Sequence, residues 1–229
     1  MPDVLNPSEE SPDNAPQEAD LAVAATVVRK RPKPGERRVQ ILQALASMLE
    51  RPNGERITTA ALAARLDVSE AALYRHFASK AQMFEGLIEF IEQSVFSLIN
   101  QIVEREQAVP GAVGDAGARQ AAKMVAMLMQ FAERNPGMVR VMVGDALVFE
   151  NDRLQQRMNQ FFDKIESTFK QCLRDGEAAT SSATPTMDAQ VRASVLAAFV
   201  GGRLQRFVRS GYKRLPSEHL DASLRLLLG

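Results

Sequence analysis

Residues 57–84 read ITTAALAARLDVSEAALYRHFASKAQMF, and this stretch decides the fold. It divides into two short helices and the start of a third. Thr58 or Thr59 can cap the first, because a hydroxyl accepts from a free backbone N–H of the first turn. Ala61, Leu62 and Leu66 then form an apolar stripe at helical spacing. Asp67-Val68-Ser69 interrupts the stripe: Val68 plugs the gap between helices and Ser69 caps the next one. That helix is short, Glu70 to Phe77. Leu73 and Phe77 turn toward the body, and Glu70, Ala71, Tyr74 and Arg75 lie on the opposite face. A short helix with small and polar outward residues, set across a tight turn, fits a helix-turn-helix reader of the major groove. Ala71 and Ala72 leave room for approach to base edges. Tyr74 and His76 can donate to phosphate oxygens. Lys80 begins a third helix after the capping Ser79, where a helix N-terminus also attracts phosphate. An ordinary helical hairpin has the same spacing, with Tyr74 and His76 as surface residues, so spacing alone leaves both readings open.

Charge separates them. The chain has 229 residues, with 28 basic and 28 acidic side chains and no formal net charge. That balance taken whole argues against a nucleic-acid partner. Its distribution argues the other way. Residues 1–28 hold six acids and no base, residues 29–82 hold 11 bases against 5 acids, and residues 83–229 hold 17 of each. The positive charge sits on the segment that carries the helix-turn-helix, and local charge sets attraction to a phosphate backbone.

Working outward, residues 1–28 lack a hydrophobic period and are expected to be a disordered acidic tail. RKRPKPGERR, residues 29–38, reads as a basic arm kept extended by Pro32 and Pro34, of the kind that follows a phosphate backbone or enters the minor groove. A helix from about Gly35 to Glu50 should bury Val39, Leu42, Leu45, Ala46 and Leu49. The helix from Ser79 should continue to about Glu106, with Phe84, Leu87, Ile88, Ile91, Val95, Leu98, Ile99 and Ile102 on one face. Phe90 and Phe96 lie off that face on opposite sides. Each fits either a contact surface or cover by a neighbouring helix.

After a loop over 107–117, helices are predicted at about 118–134, 138–149 and 151–174. Met124, Met127 and Leu128 are expected in the core, although a methionine cluster can also form an adaptable pocket. Asn135-Pro136-Gly137 is a stop that displays Arg134 and Asn135 at a helix end. GEAATSSATP, residues 176–185, reads as a surface loop, and a last helix spans about 187–213 with a broad apolar face.

Several classes are excluded or disfavoured. The two histidines, His76 and His219, are far apart with no cysteine pair near either, so no metal site is expected. No nucleophile elbow, paired carboxylate motif, phosphate-cradling loop or dinucleotide fingerprint appears, so neither catalytic residues nor a cofactor is expected. The single cysteine, Cys172, forms no internal disulfide and suits a reducing cytoplasm. No apolar run is long enough to cross a bilayer, and the acidic N-terminus does not look like a signal peptide.

The pattern T-T-x-x-L-A-x-x-L-x-V-S-x-x-x-L-Y-R-H-F-x-S-K-x-x-M-F, residues 58–84, resembles the DNA-binding domain of the TetR family. SEAALYRHFASK, MFEGLIEFIE, ERNPGM, DALVFENDRLQ and RFVRS extend the likeness, from about Arg37 to Lys213, to the nucleoid occlusion branch of that family. The resemblance implies an all-α, TetR-like fold. An N-terminal three-helix domain at 29–92, with its helix-turn-helix at about 55–74, would be joined by a long helix to a helical dimerisation and partner-binding domain at 93–229. It implies DNA contacts from Thr58, Ser69, Glu70, Ala71, Tyr74, Arg75, His76 and Lys80 to a near-palindromic duplex, with one or several dimers per site. It implies an FtsZ-binding surface at Phe90, Arg134 and Asn135, and a dimer interface containing Phe199, Leu204 and Phe207. The expected activity is division inhibition over the nucleoid, in the cytoplasm. A ligand-responsive transcriptional repressor is the alternative. Members of the branch carry arginine where this chain has Leu98, which weakens any basic contact carried over to that point.

Overall fold

Among the described residues there are nine α-helices and no strand. They are α1 (Glu36–Leu49), α2 (Thr59–Arg65), α3 (Glu70–Tyr74), α4 (Lys80–Gln107), α5 (Ala116–Arg134), α6 (Pro136–Met142), α7 (Asp152–Ala179), α8 (Pro185–Arg209) and α9 (Leu220–Leu228), with a 3-10 turn at Asp145–Leu147. The structure, a computed structural model, describes residues 35–51, 56–107, 116–179 and 184–229. The acidic tail, the first part of the basic arm and most of the loop at 107–117 lie outside the described residues.

The caps explain where the first helices start and stop. Thr58 caps α2, its hydroxyl accepting from the Ala61 N–H at 3.1 Å. Thr59 does something else, donating its hydroxyl to Glu70 at 2.5 Å. α2 ends in a Schellman turn: Val68 N–H donates to Ala63 O and Asp67 N–H to Ala64 O, at 3.1 and 3.2 Å. Asp67 takes the left-handed conformation (φ 53°) that this turn demands, and aspartate tolerates it better than most residues. Ser69 then caps α3 through Ala72 N–H, and Ser79 caps α4 through Gln82 N–H, while the Gln82 side chain accepts from Ala78 N–H at 2.9 Å. That reciprocal pair is a variant of the capping box.

α4 forms the axis. Phe84, Leu87, Ile88, Ile91, Val95 and Ile99 on its apolar face are all buried. It packs against α1 on the reader side and against α5 and α7 in the body, running without a break through residue 92. Phe96 is covered: its ring meets Phe161 edge-on at 5.7 Å, with the Lys164 ammonium over it at 4.2 Å. Salt bridges on the polar flank join α4 to α7, from Arg157 to Glu92 (2.7 Å) and Arg153 to Glu85 (3.1 Å). Hydrogen bonds to Glu92 raise the pKa of the Arg157 guanidinium, which strengthens its hold on the proton.

Four expectations are corrected. Val39 is exposed, because the buried stripe of α1 runs through Ile41, Leu45, Ala46 and Leu49. Leu98 also lies at the surface rather than on the buried face of α4. α7 runs on to Ala179, through Gly176, which a helix tolerates at a cost of about 1 kcal/mol. Residues beyond 213 form α9, whose Leu224, Leu227 and Leu228 pack against the core.

The dimer expectation changes as well. Leu204 and Phe207 are buried inside the protomer, Phe207 against Tyr212 with ring centroids 5.1 Å apart, so they cannot form a seam with a second chain. Phe199 is half-buried under the Arg203 guanidinium. The apolar side chains that α8 leaves uncovered are Met187, Val191 and Val195, exposed by 63, 55 and 45%.

Candidate nucleic-acid interface

The reader helix α3 has only five residues and buries only Leu73. A helix this short has little stability of its own. Its neighbours fix it. Phe77, just beyond its end, is fully buried against α4, where the bare backbone of Gly86 makes room: a Cβ there would lie 3.0 Å from the ring. Glu70 at its start accepts from Thr59 of α2. Arg38 of α1 donates to the His76 carbonyl at 2.9 Å and stacks on the Phe77 ring at 4.1 Å.

With Leu73 and Phe77 anchored inward, Glu70, Ala71, Tyr74 and Arg75 are exposed on the opposite face, His76 is exposed just beyond the helix end, and Ser69 and Thr58 are exposed at the flanking helix starts. Tyr74 is 45% exposed, and its phenol can donate outward. Glu70 is the acid of this face, and its bond to Thr59 directs its charge toward α2.

Lys80 differs from the sequence expectation. Its ammonium is hydrogen-bonded and ion-paired to Glu150, a carboxylate contributed by the segment before α7 and almost wholly buried. A phosphate would therefore compete with Glu150 for this lysine. Arg56, just before α2, reaches the same segment, donating to Phe149 O at 3.2 Å with its Nε 3.9 Å from Glu150. A second set of links holds the end of α1. The Leu49 carbonyl accepts from Arg140 and from the Tyr212 hydroxyl, both at 3.3 Å, and Arg140 also reaches Arg51 O at 3.1 Å and Asp145 at 2.5 Å. Burial raises the pKa of the Tyr212 phenol and keeps it a donor. Sequence reading missed Glu150, Arg140 and Tyr212. Cations at helix C-termini are a general signal for residues such as Arg140, but nothing local pairs residue 150 with residue 80.

The residues of the expected partner surface come from α4 and from the junction of α5 and α6. Phe90 is 42% exposed on α4. Arg134 is exposed at the last position of α5. Asn135 is half-buried, and its amide donates back to Phe131 O at 2.7 Å, closing the end of α5. Pro136 opens α6, and Gly137 lets that helix press against α1. Met124 and Leu128 are fully buried and Met127 is half-buried, so this methionine cluster is core. Among the described residues no group of histidine, cysteine and acidic side chains could hold a metal, and no helix is long and apolar enough to cross a membrane.

Two family models match the chain: "Bacterial regulatory proteins, tetR family" over residues 41–87 and "Tetracyclin repressor-like, C-terminal domain" of the SlmA type over residues 118–229. Relatives match almost end to end. Nucleoid occlusion factor SlmA of Idiomarina loihiensis is 49% identical over 191 residues, 83% of this chain and 93% of that protein. The chain belongs to the SlmA family of TetR-type proteins. SlmA of Vibrio cholerae is 48% identical over 192 residues, covering 83% of this chain and 93% of its own. Among solved structures, the transcriptional regulator FadR from Bacillus subtilis in complex with stearoyl-CoA has a TM-score of 0.65 at 14% identity, covering 83% of this chain and 97% of FadR. A TetR-family regulator from Mesorhizobium loti gives 0.62 at 16% identity, covering 86% and 98%. These structures share the all-helical fold. SlmA and TetR-type proteins are regulators rather than enzymes, in line with the lack of catalytic motifs in the sequence.

Proposed function

We propose that this protein is a sequence-specific DNA-binding nucleoid occlusion factor which, when bound to its site, antagonises FtsZ assembly and so blocks division over the nucleoid. The observation that carries the DNA half is the face of α3. Small and donor side chains point outward from a helix whose apolar residues are anchored inward, on the most basic segment of the chain. The SlmA relatives support the division half, together with the exposed Phe90 on the helix that begins at the reader.

In this reading Tyr74, Arg75 and His76 contact the duplex, with Thr58 and Ser69 at the flanking helix starts. Lys80 joins them on exchanging Glu150 for phosphate. Phe90, Arg134 and the Asn135 turn form the FtsZ surface. A homodimer presents two reader helices to half-sites about one helical turn apart. The exposed stripe Met187-Val191-Val195 of α8 is its seam, because these apolar side chains have no cover within the protomer.

The test is sedimentation of FtsZ polymers with and without the protein's own duplex. Wild type should disassemble polymers when DNA-bound. Phe90→Ala and Arg134→Asp should lose this while keeping DNA affinity, and Tyr74→Ala should lose DNA affinity first. If wild type leaves polymers intact with its site present, the division reading fails.

A further inference from the structure

The reader helix is held at both ends by residues that belong to other helices, and we infer that Arg38 and Thr59 are positioning residues that set its angle and thereby its sequence discrimination. This rests on the DNA-binding reading above.

The geometry is a two-ended clamp. At the start of α3, Thr59 Oγ1 donates to Glu70 Oε2 at 2.5 Å and ties the reader to α2. At the far end, Arg38 does two things at once. Its Nη1 donates to the His76 carbonyl at 2.9 Å, and its guanidinium carbon lies over Phe77, 4.1 Å from the ring centroid. Phe77 in turn is pressed on the backbone of Gly86, so α1, the reader end and α4 form three stacked layers. The layers demand an arginine. A planar guanidinium can stack on a ring and still aim a donor sideways, whereas an ammonium is a compact point charge that cannot do both. Between the clamps, α3 contributes one buried side chain, Leu73, which fixes its depth but leaves rotation about that point open. Base readout depends on where a few side chains meet base edges, while phosphate attraction depends mainly on charge. Loosening the clamp should therefore degrade discrimination and spare non-specific binding.

Arg38 is itself exposed, so the competing account is that it is simply a phosphate contact. Arg38→Lys separates the two, since it keeps the charge and removes the stack. Thr59→Val is the second variant. It leaves the net charge unchanged and opens the other clamp, so the test survives if one variant folds poorly. The experiment measures anisotropy of a labelled duplex selected by the protein from random sequence, and of a scrambled duplex, at several salt concentrations. Both variants should lose at least about tenfold in the specific-to-scrambled affinity ratio, the scale of one misread base pair. Scrambled-duplex affinity and the salt slope should stay within about twofold of wild type. Wild-type discrimination in both variants overturns the inference. So does a parallel loss on both duplexes with a shallower salt slope, which marks a phosphate contact. A wild type that itself fails to discriminate sinks the DNA reading and this inference with it.

Discussion

Gly137→Ala should be among the most damaging single-methyl changes available to this fold. Gly137 is buried near the start of α6, where α6 crosses α1. A Cβ built there would lie 2.0 Å from the Ala46 carbonyl oxygen and 3.1 Å from both Ala46 C and Glu50 N. The obstacles are backbone atoms of a helix, so no rotamer change relieves the clash. Contacts below about 3 Å are not sustained, so α1 and α6 must part by about 1 Å, and a gap of that size forfeits a quarter to a half of the dispersion energy of facing atoms. The separated surfaces include Leu45, Ala46 and Leu49 of α1 and Val139 of α6, all buried. Overpacking costs about 1–3 kcal/mol and occasionally more. The better helix propensity of alanine returns at most about 1 kcal/mol. We expect a net loss of about 2 kcal/mol, which for a chain of this size lowers Tm by roughly 4–8 °C. Thermal melts followed by far-UV circular dichroism measure it. Gly201→Ala is the matched control: a Cβ there meets nothing within 4 Å, so the same methyl should be neutral or slightly stabilising. A Gly137→Ala protein that melts with wild type would refute the close approach of α1 and α6.

Two further outcomes are expected. Val195→Glu or Val191→Glu should convert a dimer to monomers in light scattering while Phe199→Glu has a smaller effect, and an intact dimer in the first two variants would put the seam elsewhere. Glu106 is buried with Lys123 and Arg119 against it, and the Lys123 hydrogen bond leads in holding its carboxyl below the ordinary value of about 4.5. A depressed folded pKa means that the stabilisation is complete above the unfolded value and disappears as pH falls through the folded one. Glu106→Gln should therefore lower stability near neutral pH and match wild type in strong acid, as read by urea denaturation across pH.

What the sequence makes legible here is local. The caps at Thr58, Ser69 and Ser79, the Asp67 turn and the buried face of α4 all follow from hydroxyls, one polar break and a 3.6-residue period. What it hides is non-local. α8 has an apolar surface broad enough to face two ways, and only packing reveals that Leu204 and Phe207 turn into their own chain while Val191 and Val195 turn out. Gly176 reads as a stop, yet the long amphipathic helix around it outweighs one glycine. Asn135-Pro136-Gly137 reads as a breaker. Its proline in fact opens a helix, and its glycine serves a contact with a helix some ninety residues earlier in the chain.

The least legible contacts bear most on how the reader is coupled to the body. Polar joints run from the segment around the reader to two carbonyl or carboxylate hubs: the Leu49 carbonyl, held by Arg140 and Tyr212, and Glu150, held by Lys80 with Arg56 beside it. Such joints differ from a packed core. A close-packed interior resists small displacements, whereas a charged pair at a helix start can exchange one anion for another. A phosphate arriving at α4 offers Lys80 such an exchange. Lys80 is the first residue of the helix that carries Phe90, and Arg157 and Arg153 tie that helix to α7, the element that follows Glu150. Releasing Glu150 would therefore change the seating of α4 at its start without dismantling its buried face. Any partner that prefers the new seating must favour DNA binding by the same factor with which DNA favours that partner, because coupling between two sites is reciprocal. Were DNA binding passed on to a partner surface in this way, the Lys80–Glu150 pair would be the contact that carries it.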